Sequence, residues 1–128
     1  MIKLPKPTKT ELAILNIMWQ ISPATVRQIH EEIIKNGKTS YTTTLKMLQV
    51  MHQKGLVCRD SDHKAHIYEP TLSKKETQKQ MIDDLKNRLF GGSISSLVLQ
   101  ALGTNEATKQ SEIDEIKALL DKVEEDNQ

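Results

Sequence analysis

The chain has 128 residues, with 18 Lys and Arg against 17 Asp and Glu and a formal net charge of +1, enough for one domain or two small lobes. Its aromatic residues, Trp19, Tyr41, Tyr68 and Phe90, are too few for a base-stacking RNA-binding sheet, and a single cysteine, Cys58, rules out an internal disulfide. No apolar run is long enough to insert in a membrane and the start, MIKLPKPTK, lacks a secretory signal's apolar stretch, so a cytoplasmic protein is expected.

The near-zero total hides an asymmetry. Residues 1–70 carry 10 basic and 6 acidic side chains, whereas residues 71–128 carry 8 and 11. The first half suits a polyanionic partner and the second half repels one.

Pro5 and Pro7 keep the N-terminal arm from being helical. Thr8 followed by Glu11 has the spacing of a capping box. Ala13, Ile14, Leu15, Ile17, Met18 and Trp19 then predict a first helix buried on most sides, broken by Ser22-Pro23. Thr25 and Gln28 form a second capping box within a helix expected over 24–37, with Val26, Ile29 and Ile33 as its core stripe. A short edge strand at 24–26 is the alternative for its start.

The stretch TSYTTTLKMLQVMHQKG, from Thr39 to Gly55, reads as a third helix. Ser40 can cap it and Gly55 can close it in the left-handed region. Leu45, Leu48 and His52 recur on one half-apolar face, with Met51 beside it. Thr42, Lys46, Gln49 and Gln53 recur on another, with Thr43 alongside, and no carboxylate occurs from Thr39 to Lys54. A solvated helix usually mixes both signs of charge. A helix entering the major groove avoids negative charge and uses short hydroxyls near its N-terminus. Two capped helices joined by a turn holding Gly37 fit a helix-turn-helix, so this stretch is read as a recognition helix. The plainer alternative is an exposed helix that lacks Asp and Glu.

After Leu56 the period changes from 3.6 to 2. Residues 56–59 and 65–68 predict two strands around the polar turn 60–64. A hairpin placed directly after a recognition helix is a wing. Cys58 is expected as a small buried apolar residue of the first wing strand.

Pro70 ends this lobe. Ser73 with Glu76 caps a long helix reaching about Phe90, and Gly91-Gly92-Ser93 breaks it. Ile94, Leu97, Val98, Ala101 and Leu102 stripe a fifth helix. Ile113, Ile116, Leu120 and Val123 give a last one an a/d-like seam. So small a lobe does not easily bury these stripes alone, and a second copy across a two-fold axis is the simplest remedy. The alternative is that they fold back on their own chain. The expected fold is mainly α, with an N-terminal winged helix-turn-helix lobe over 1–72 and a C-terminal three-helix dimerisation lobe over 73–128. Leu85, Leu89, Ile94, Leu97, Val98, Leu102, Ile113, Ile116, Leu120 and Val123 are the dimerisation candidates.

Several segments together resemble the penicillinase-repressor family of bacterial transcriptional regulators, of the BlaI/MecI/CopY type. They are ELAILNIMW, SYTTTLKML, KGL at the opening of the wing, IYEP at its close and FGGSISSLVL downstream. The resemblance spans about Thr8 to Val123. It implies a homodimeric repressor on an inverted-repeat DNA operator of a resistance operon. In the β-lactam branch it also implies a membrane sensor-protease that cuts the dimerisation lobe, here around Gly92, Ser93, Ile94 and Ser95. Three departures bear on this. Val50 stands where relatives often carry a basic residue. Ser-Ile-Ser-Ser replaces the Asn-Phe pair some relatives have near the cut, which counts against regulated cleavage. The ending EEDNQ lacks the paired cysteines of the copper-responsive branch.

On this reading Thr42, Thr43 and Lys46 face base edges and flanking phosphates. Ser40 and Tyr41 hold a phosphate at the helix N-terminus, and Arg27, Lys38, Arg59 and Lys64 add phosphate contacts. No cofactor is expected. No HExxH, CxxC, Gly-rich phosphate loop or Ser-x-x-Lys set marks an enzyme. A zinc site from Cys58, His30, His63 and His66 is set aside. The competing function is a protein-interaction module on a winged-helix scaffold.

Overall fold

The computed structural model describes residues 5–60, 66–104 and 110–126. Its elements in chain order are α1 (Lys9–Ile21), β1 (Ala24–Thr25), α2 (Val26–Ile33), α3 (Tyr41–Gln53), β2 (Val57–Asp60), β3 (Ile67–Pro70), α4 (Lys74–Leu89), α5 (Ile94–Thr104) and α6 (Gln110–Asp126). The chain divides into two compact units, residues 1–83 and 84–128, and the division falls inside α4.

In the first unit, local chemistry sets the helix starts. Thr8 Oγ1 accepts from the Glu11 N–H at 3.2 Å while the Thr8 N–H donates to Glu11 Oε1 at 2.8 Å. Thr25 with Gln28 and Ser73 with Glu76 repeat this reciprocal arrangement. At the other end of α3, Gly55 takes φ 84°. The Leu56 N–H then reaches the Met51 carbonyl at 2.9 Å, so the chain leaves the helix toward β2.

The sheet order is β1-β3-β2, antiparallel throughout, with Ala24 opposite Tyr68 and Arg59 opposite Tyr68 on the other side. The core lies between this sheet and the three helices. Ile14, Leu15 and Met18 enter from α1, Val26 and Ile29 from α2, Leu48 and Met51 from α3, and Leu56, Val57 and Tyr68 from the wing. The Trp19 indole N–H donates to the Leu72 carbonyl at 3.0 Å, returning the chain from β3 to α1.

Four local expectations are corrected. The alternative start of the second helix holds, since 24–25 form a strand and the helix begins at Val26. That helix stops at Ile33, short of Gly37, because Ile33 is its last core-packed residue and Ile34 is exposed. The buried stripe of α3 is Thr44, Leu48 and Met51, with Leu45 and His52 only half-buried at its edge. Cys58 is exposed, because Val57 takes the inward position and strand alternation turns its neighbour outward.

One ion pair joins the two ends of the helical layer. Lys54, the residue closing α3, places Nζ at 2.8 and 3.1 Å from the two carboxylate oxygens of Glu11, which is buried at the start of α1. Burial acts to raise the Glu11 pKa. The Lys54 hydrogen bond and charge, with the Thr8 N–H and hydroxyl, outweigh it and hold the carboxyl below its ordinary value.

Removing one partner of such a pair leaves the other desolvated and uncompensated. Lys54→Ala should therefore cost about 1–3 kcal/mol in denaturant unfolding. A depressed carboxylate pKa contributes stability that is present above its ordinary value of 4.5 and lost as pH falls through the folded value. The wild-type midpoint should fall below pH 4.5 more steeply than that of Glu11→Gln. Parallel acid profiles for the two proteins would remove this pair from the account.

Candidate functional site

The site is built on α3. With 100° between successive residues, burying Thr44, Leu48 and Met51 turns the opposite arc outward. Lys46 lies at the centre of that arc, Thr42, Gln49 and Gln53 on one flank, and Thr43 and Val50 on the other. All are exposed. No carboxylate lies on α3, and its first turn holds no acidic residue. The arc therefore offers hydroxyls, amides and one ammonium beside the positive end of a helix dipole.

The N-terminal turn is capped by Ser40. Its Oγ accepts from the Thr43 N–H at 3.1 Å and lies 2.8 Å from Thr43 Oγ1. Two sequence-expected candidates are brought together: the Arg27 guanidinium of α2 lies over the Tyr41 ring at 5.3 Å from its centroid. The Tyr41 and His30 rings meet edge to face, with centroids 5.6 Å apart and planes at 84°. His30 Nδ1 in turn lies 2.9 Å from the buried Thr44 hydroxyl. Lys38 is exposed in the loop before Ser40, and a shallow depression lined by His30, Ile34, Gly37, Lys38, Thr39 and Ser40 opens there. Arg59 is exposed on β2. Lys64 lies outside the described residues, as does His63.

Sequence reasoning missed the pairing of His30 with Thr44. The available signal was the spacing of Thr44 from Leu48 and Met51, which puts a hydroxyl on the core face. Among the described residues no group of three His, Cys, Asp or Glu side chains is placed to hold a metal ion. No described helix is long and apolar enough to cross a membrane.

The second unit holds the other candidates. None of the described residues in 84–128 is buried. Leu85, Leu89, Ile94, Val98, Leu102, Leu120 and Val123 are exposed, Leu97, Ile113 and Ile116 half-buried. Leu99 and Leu119, absent from the sequence reading, are exposed as well. Gly91 and Gly92 adopt φ 57° and 85° at the turn into α5. Ser93 caps that helix by accepting from the Ser96 N–H at 3.1 Å.

Comparison with known proteins places the chain in a family. The model of the penicillinase repressor family matches residues 7–122. The chain belongs to this family. It is 31% identical over 112 residues to the transcriptional regulator BlaI of Mycobacterium tuberculosis, covering 84% of this chain and 81% of that one. It is 24% identical over 121 residues to the penicillinase repressor of Bacillus licheniformis, covering 94% of each. The methicillin resistance regulatory protein MecI of Staphylococcus aureus is 26% identical over 115 residues, 90% of this chain and 93% of that one. Two solved structures share the fold over 59% of this chain and 93% of their own, each with a TM-score of 0.51 at 22% identity. One is the DNA-binding domain of the repressor BlaI in solution. The other is monomeric Bacillus licheniformis BlaI in complex with the blaP half-operator. The winged helix read from the capping boxes and the hairpin is thus the fold of this family member.

The cap makes a separate claim. Ser40→Ala removes the side-chain acceptor for the Thr43 N–H and should lower stability by about 1 kcal/mol, with Ser40→Gly costing less. Thermal melts of the two variants check it. A Ser40→Ala protein as stable as the wild type would mean that the hydroxyl contributes nothing to the helix start.

Proposed function

We propose that this penicillinase repressor family member is a DNA-binding transcriptional repressor, working as a homodimer on an inverted-repeat operator of a resistance-type operon. The observation that carries the reading is the outward arc of α3, where Thr42, Thr43, Lys46, Gln49 and Gln53 are exposed with no carboxylate among them. Threonine methyls suit thymine methyls, and hydroxyls and amides suit either edge of a base pair. Lys46, at the centre of the arc, donates to a guanine or to a phosphate. The capped N-terminus at Ser40 and Tyr41 takes a phosphate, with Arg27 and Lys38 adding charge beside it, and Arg59 and Lys64 supply further phosphate contacts.

The division of labour follows the expected lobes, 1–72 for DNA and 73–128 for dimerisation. The apolar residues that stand exposed on α5 and α6 support pairing with a second copy. Two lobes on one dyad set two α3 helices about 34 Å apart, one DNA turn, or a multiple of it. Relief by a membrane sensor-protease would act on the turn from Gly92 to Ser95, of which Gly92, Ile94 and Ser95 are exposed. The relatives named for penicillinase and methicillin resistance support the resistance-type assignment.

Fluorescence anisotropy with duplex from the protein's own upstream region tests the interface. Lys46→Ala should weaken binding by about 1–3 kcal/mol if the amine reads a base. Log affinity should fall with log salt for the wild type, and a slope near zero would favour a protein-binding role instead. For the second unit, Leu120→Asp with Val123→Asp should shift sedimentation from dimer to monomer while leaving the melting of the first unit in place. A dimer that survives both charges would take the assembly away from α6.

A further inference from the structure

The chain of contacts from α2 into α3 has no role so far. Thr44 is fully buried, and its hydroxyl lies 2.9 Å from His30 Nδ1. An apolar pair would fill the same space without desolvating two polar groups, so stability alone does not call for this one. A directional bond between two helices does something an apolar contact does not: it selects one roll and one axial register. The same imidazole packs edge to face with the Tyr41 ring, and Tyr41 carries the Arg27 guanidinium. Two of the outward candidates are thereby tied through one half-buried side chain to a buried anchor.

We propose that His30 is the positioning residue of this interface: it locks the first turns of α3 against α2 through Thr44, and through Tyr41 it sets where Tyr41 and Arg27 meet the nucleic-acid backbone. The proposal rests on the DNA-binding reading for its consequence and on the Thr44 and Tyr41 contacts for its geometry. His30 itself touches no base in this scheme. Its effect is on how many phosphate contacts the helix start makes, a quantity that salt dependence reads directly.

The test compares full-length wild type with His30→Ala, His30→Asn and Thr44→Val, using the upstream-region duplex over a salt series, with melting curves alongside. Thr44→Val keeps the shape and removes the hydrogen bond, and should weaken binding about two- to tenfold. His30→Ala should weaken it further and make the salt slope shallower by about 0.9, the loss of one phosphate contact. Asparagine can present an amide nitrogen or oxygen near the place of Nδ1, so His30→Asn should recover affinity relative to His30→Ala. Wild-type affinity and slope in both His30→Ala and Thr44→Val would overturn the proposal. So would a His30→Asn protein no better than His30→Ala. A wild type that binds no duplex would sink the DNA reading instead. The positioning claim would then be decided in the free protein, where Thr44→Val should shift the NMR signals of the Tyr41 ring. Unmoved Tyr41 signals would overturn it without reference to DNA.

Discussion

Leu48 and Met51 leave no surface to solvent, and their burial fixes how α3 is rolled about its own axis. A roll of one residue, about 100°, would turn Lys46 toward the core and bring a methionine out. Everything chemically distinctive about the first unit follows from preventing that roll. Three devices bear on it. The Thr44 hydroxyl is held by His30 near the start of the helix, Gly55 turns the chain into the wing at its end, and Lys54 is tied to Glu11 of α1. The hydrophobic stripe supplies most of the free energy and the polar contacts supply the direction.

The second unit obeys a different balance. The start of α5 is as well defined as those of the first unit, with Ser93 capping it and two glycines in the left-handed region before it. Yet among its described residues none is buried, and Leu89 and Leu99 are 73% and 70% exposed. Helices of this length draw most of their stability from packing an amphipathic face. A lobe whose apolar stripes face water has that stabilisation still to gain. A symmetric partner provides it with no new sequence, since the same patch serves both copies. Tying assembly to DNA affinity in this way would make any event that separates the copies a route to release from the operator.

Much of this was legible in the chain. Capping boxes at Thr8, Thr25 and Ser73 and the closing role of Gly55 are local matters, settled within four residues, and each appears as read. The wing was legible because the hydrophobic period changes after Leu56. What escaped notice depends on which faces meet. Thr44 is polar and stands next to the apolar Leu45, yet it is the residue that shares a face with Leu48 and Met51. Cysteine as a type is often buried, but Val57 claims the inward position of that strand and leaves Cys58 exposed. The partner of His30 on α3 shows only once α2 and α3 are brought together.

The central claim is that the acid-free arc of α3 is the surface that meets DNA. Titrating isotope-labelled protein with a duplex from its upstream region, and following backbone amide signals, tests this most directly. The largest shifts are expected at Thr42, Thr43, Lys46, Gln49 and Gln53, with α5 and α6 unaffected. Shifts concentrated in the second unit, with those α3 amides unmoved, would contradict it.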